Sequence, residues 1–93
     1  MTIRLNEYNI VDYLHSFNKK HIRQTKHSNR KLKTRKFSFE LIIKLITEET
    51  PLDIKKEESK KFALVYKYKE QYNLRIIVAI KDKYINIVTQ HLY

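Results

Sequence analysis

The sequence predicts an α+β fold, with N-terminal helices packed on one face of a small antiparallel sheet. Apolar residues recur at three- and four-residue spacing up to Thr50, then alternate with a period of two, and the change of habit falls at the single proline, Pro51. At 93 residues the chain is one domain, 1–93, with room for one pair of layers around one core. Apolar side chains make up 42% of it and charged ones 32%, a globular rather than a disordered balance.

Asn6 is placed to cap a first helix over 7–20, whose Ile10, Tyr13, Leu14 and Phe17 share a face. Thr25 caps a second, basic helix over 26–36. Ser38 caps a third, with Glu40 at the positive end of its dipole. Leu41, Ile42, Leu45 and Ile46 form the buried stripe of this last helix. It ends near Thr50, because the residue before a proline disfavours helical dihedrals. Leu52 and Ile54 then suggest a short edge strand, followed by a charged connection over 55–61. Alternation of one residue set with another marks three further strands, over 62–69, 74–81 and 84–93, joined as an antiparallel meander. In the last of them Ile85, Ile87, Thr89, His91 and Tyr93 fall on one face. Tyr66 is expected in the core, and Tyr68 in a more open position. The turns near Asn73 and Asp82 contain no Gly, which leaves any left-handed position to Asn or Asp.

Composition removes whole classes of chemistry. Without Cys there is no disulfide, thiol nucleophile or cysteine zinc site, and without Gly no phosphate-cradling loop or dinucleotide fingerprint. No His has a carboxylate or a second His three or four residues on, so neither metal nor cofactor is expected. Glu48 and Glu49 end a helix, while Glu57 and Glu58 fall in the charged connection. No pair of acids has the apolar setting that acid catalysis needs. The longest apolar run, 76–80, is far too short for a bilayer, and the N-terminus lacks a signal-peptide core. The chain therefore reads as soluble and cytoplasmic, with no membrane partner.

Charge is the strongest positive signal. Lys and Arg number 20 against 10 acids, a net charge of +10, which favours a polyanionic partner. The excess is uneven: the 27 residues from Tyr13 to Phe39 hold nine Lys or Arg, three of the four His, and no acid. A uniform coding bias toward Lys would not clear acids from so long a stretch. A solvated basic face is the alternative to a binding surface.

The run Thr25-Lys26-His27-Ser28-Asn29-Arg30-Lys31-Leu32-Lys33-Thr34-Arg35-Lys36-Phe37-Ser38, with the later pair Val88-Thr89, resembles a family of small toxin-like domains related to the RelE, ParE and BrnT toxins. The family pattern is Thr-x-His, a basic residue four after the His, and an Arg eight after it. An apolar residue and a helix-starting Ser or Thr follow, and a Val-Thr pair stands in the closing strand. Lys31 stands where Arg is commoner, keeping the charge without the bidentate fork; Lys36 stands in place of Gly. The resemblance covers 22–93, leaving 1–21 as an extra N-terminal helix. It implies a RelE-like fold, action on RNA in a toxin–antitoxin system, and an acidic antitoxin as protein partner.

Metal-independent RNA cleavage needs a base for the 2′-OH, cations for the phosphoryl charge, and an acid for the leaving oxygen. His27, Lys31 and Arg35 form one row on a helix, suited to gripping phosphates with Lys26 and Arg30 beside them. His91 is a second candidate base, with Tyr93 two residues on. Arg75, with Lys67 on the adjacent strand, is a candidate transition-state cation. His15 and His21 read as surface residues. The expectation is thus a metal-independent endoribonuclease using His27, His91, Tyr93 and Arg75. A non-catalytic basic module that binds nucleic acid or an acidic protein, including a host enzyme that it inhibits, is the second reading.

Overall fold

The structure, a computed structural model, describes residues 5–33 and 38–92, and of residues 31–33 the backbone alone. Helix α1 spans Ile10–His15, and a 3-10 turn at Lys19–His21 leads into strand β1, Ile22–Gln24. Helices α2, Lys26–Lys33, and α3, Phe39–Glu48, follow. Strands β2, Asp53–Glu58, β3, Lys61–Lys69, β4, Tyr72–Ile80, and β5, Ile85–Leu92, complete the fold. The strand order is β1-β5-β4-β3-β2. The fold is α+β as expected, but the sheet is mixed: β1 runs parallel to β5, with Ile22 beside Ile85 and Gln24 beside Ile87. Three residues are too few to show a period, so β1 carried no signal of its own.

Side-chain chemistry sets the helix limits. The Asn6 carboxamide oxygen accepts from the backbone N–H of Tyr8 and Asn9, closing a turn, so α1 starts at Ile10 rather than at residue 7. It stops at His15 instead of running to residue 20. Asn18 adopts extended dihedrals and caps the next turn through the Lys20 N–H. Thr25 and Ser38 cap as expected, accepting from the N–H of Ser28 at 3.2 Å and Leu41 at 3.2 Å. The expected end of the second helix, 34–36, lies outside the described residues.

The core lies between α1, α3 and one face of the sheet. Ile10, Leu14, Ile42 and Ile46 bury completely or almost so against Phe62, Leu64, Tyr66, Leu74, Ile76 and Val78. Burial of such side chains is the main favourable term in folding. The first helix is therefore built into the same core as the strands.

The charged stretch expected as a connection is largely strand β2. An edge strand tolerates charge because one side of it meets water. Its outer side is closed at one point by the segment before α1. The Lys56 N–H donates to Glu7 Oε1 at 3.2 Å, and Lys56 Nζ donates to the Leu5 carbonyl at 3.1 Å.

The tight turns lie at Ser59–Lys60 and Glu70–Gln71, not at Asn73, and no described residue has a positive φ. Two-residue turns without left-handed residues match strand twist poorly. Each is followed or preceded by a register shift, at Lys56/Glu58 and at Lys67/Lys69, which supplies local twist.

A third shift has larger consequences. Ile77 pairs with Thr89 and Val78 with Ile87, so Val88 is an extra residue in β5. After it the faces exchange: Gln90 joins Ile76 on the helix-bearing side, and Thr89 and His91 turn to the far face. The expected sharing of one face by Ile85, Ile87, Thr89 and His91 is corrected by this bulge. Thr25 ties it down, its N–H donating to the Ile87 carbonyl at 3.1 Å and its hydroxyl to the Val88 carbonyl at 2.9 Å. Among the described residues no helix is long and apolar enough to cross a membrane.

Candidate polyanion-binding cleft

At one end of the sheet the β2–β3 turn and the β4–β5 connection stand side by side. The Ile80 N–H donates to the Lys60 carbonyl at 2.7 Å, and the Lys81 N–H to the Tyr84 carbonyl at 2.9 Å. Between these segments and β1 opens a cleft of about 860 Å³, within the size range of ligand sites. Its lining carries five cations, Arg23, Lys60, Lys61, Lys81 and Lys83, against two acids, Glu58 and Asp82. The Lys60–Asp82 pair is loose, at 3.9 Å, and open to water, so it offsets little of the positive field.

Arg23 reaches the cleft because β1 pairs beside β5, where it stands next to Asn86. Its guanidinium carbon lies 4.4 Å from the centre of the Tyr84 ring, a cation–π stack. Ala79 and Val88 add apolar lining beside the stack. Flat cation, aromatic ring and amines around an apolar patch are suited to phosphate and planar groups together.

The residues singled out in sequence scatter over two regions. Lys26, His27 and Arg30 are exposed on α2, but the Lys31 side chain, Arg35 and Tyr93 lie outside the described residues. Helix α2 leans on β5 through Ser28 and Gln90, on the helix-bearing side. His91 turns to the far face, where it stands directly beside Arg75. His27 and His91 thus belong to different sides of β5, whereas Arg75 and His91 are neighbours.

Lys67 shares the face of Arg75 but pairs with Asn73, not with Arg75. Its ammonium donates to the Glu70 carbonyl at 2.7 Å. Arg75 is held by Glu57, 3.0 Å away, with both side chains about two-thirds buried. The two acids expected in a connection are strand residues, and Glu57 neutralises a candidate catalytic cation. His15 and His21 are exposed; His15 Nε2 lies 2.8 Å from the Glu49 carbonyl.

The cleft cations were missed because Arg23, Lys60, Lys61, Lys81 and Lys83 come from three separated segments and join only through the topology. The one available signal was the clustering of Lys at both ends of the strand pair, 60–61 and 81–83, which a hairpin register brings to one end of the sheet.

Fold and cleft together define a small α+β domain with a basic cleft at the sheet end. The chain belongs to the MJ0788 family, whose sequence profile matches residues 8–78. The match takes in α1, Arg23, Lys60 and Lys61, and stops short of Tyr84 and β5. No curated protein and no solved structure matches the chain.

Proposed function

We propose that the protein binds nucleic acid, with RNA as its ligand, and that the basic cleft is the contact surface. The convergence of five cations on a cleft holding an arginine–tyrosine stack carries this reading. Clustered amines gain affinity for a phosphate chain by releasing its condensed counterions. The likeness of residues 25–38 to the RelE, ParE and BrnT group, and the RelE-like fold that it implies, favour RNA over other polyanions. In the same reading an acidic antitoxin competes for the cleft. Fluorescence anisotropy with a labelled RNA across a salt series tests the binding. Affinity should fall steeply with salt, and Lys81→Gln and Lys83→Gln should each lower the log–log slope by about one. Absence of binding, or binding that ignores salt, overturns the reading.

The pairing of Arg75 with His91 favours a second reading, metal-independent cleavage of the bound RNA. His91 would take the 2′-OH proton as the 2′-oxygen attacks phosphorus, Arg75 would stabilise charge on the phosphoryl oxygens, and the departing 5′-oxygen would take a proton from water. RNA integrity after incubation with wild type and His91→Ala decides it. Cleavage must vanish in the variant while binding persists.

A further inference from the structure

We propose that the Arg23–Tyr84 stack is a nucleobase platform, which makes the cleft selective for unpaired nucleic acid over duplex. This rests on the nucleic-acid reading above. Phosphate alone would be satisfied by the lysines, which are flexible point charges. The stack adds what phosphate does not need, a fixed plane. The guanidinium carbon lies over the Tyr84 ring, 4.4 Å from its centre, and Arg23 is otherwise exposed, which leaves the side away from the ring open to a second flat group.

The Tyr84 backbone is held at the base of β5, its carbonyl accepting from the Lys81 N–H at 2.9 Å. Ala79 and Val88 beside it offer an apolar patch to a base edge, while Lys61 and Lys83 stand within the same cleft for the flanking phosphates. An unpaired base stacks on arginine or aromatic planes with little regard to its identity. A base inside a duplex has both faces covered already, and cannot reach the platform without being pulled from its stack. The cleft therefore takes single strands, loops or ends.

The test is anisotropy with a short single-stranded RNA, the same strand bearing abasic sites, its duplex, and polyglutamate as an acidic polymer without bases. Arg23→Lys keeps the charge and removes the plane; Tyr84→Leu removes the support beneath it. Wild type should bind the single strand on the order of ten-fold more tightly than the abasic strand or the duplex. Both variants should lose that margin with the salt slope unchanged. Equal binding of intact and abasic strands, wild-type affinity in both variants, or polyglutamate binding as tightly as RNA would overturn the platform. If Lys83→Gln weakens binding while those variants do not, the platform fails and RNA binding stands. If wild type binds no RNA at all, both readings fail together.

Discussion

Ser28 and Gln90 hold each other in both directions across the α2–β5 contact. The serine hydroxyl donates to Gln90 Oε1 at 2.5 Å, and Gln90 Nε2 donates to the Ser28 carbonyl at 2.9 Å, with both residues fully buried. Truncating one partner strands the other away from water. Gln90→Ala should therefore cost about 2–4 kcal/mol, and Ser28→Ala about 1–2 kcal/mol. Urea unfolding of the two single variants and the double variant checks this. The double variant should cost less than the sum, because the partners act as a unit.

Tyr66 shows the opposite situation. Its ring fills the core, but its hydroxyl is buried without a hydrogen-bond partner among the described residues, and burial pushes the phenol well above its usual range. Tyr66→Phe should leave stability unchanged or raise it by up to about 1 kcal/mol, whereas Tyr66→Ala should cost about 3–5 kcal/mol. The pH dependence has a definite sign. A pKa raised by folding stabilises below the free phenol value and loses that contribution as pH rises through the folded one. Alkaline unfolding of wild type should thus move to higher pH in Tyr66→Phe, as followed by circular dichroism.

The ion pair between Lys19 and Glu48, at 2.8 Å, joins the 3-10 turn to the end of α3. The hydrogen bond from Lys19, with its charge and that of Lys44, holds the Glu48 carboxyl below the usual carboxylate range. A lowered pKa favours the fold above the ordinary carboxylate value and ceases to do so as pH falls through the folded one. NMR titration should place the Glu48 midpoint below that of a free glutamate, and Lys19→Met should return it upward. Both groups are exposed, so 1 M salt should produce a similar upward movement.

Glu57 holds Arg75 beside His91, and any phosphate approaching that part of the far face must compete with the carboxylate. Glu57→Gln should raise RNA affinity a few-fold and steepen its salt dependence, at a cost in stability of up to about 1 kcal/mol. Anisotropy and urea titrations on one preparation separate the two effects. Unchanged affinity would place the RNA path wholly in the cleft.

Local chemistry was readable in the sequence wherever one residue settles its own surroundings. Thr25 and Ser38 cap helices because a hydroxyl reaches an unpaired N–H within its own turn, and 74–80 alternates because one face, with Leu74, Ile76, Val78 and Ile80, meets the core. What depended on distant partners was not readable. β1 exists only because β5 lies beside it. The charges of β2 resemble a loop until β3 makes them an edge. The candidate site suffered most. One inserted residue, Val88, reversed the face of His91, and no periodicity count reveals a bulge whose anchor, Thr25, lies 63 positions away. The cleft itself is a product of topology, assembled from short segments that share nothing in sequence.

Glu7 gives the outermost strand a property beyond its own hydrogen bond. By occupying the Lys56 amide it fills a position at which a neighbouring molecule's backbone carbonyl would begin to add a strand. Unpaired N–H and C=O groups along such a border are where edge-to-edge association of copies begins. A single carboxylate thus closes one point on this border at which edge-to-edge addition would start.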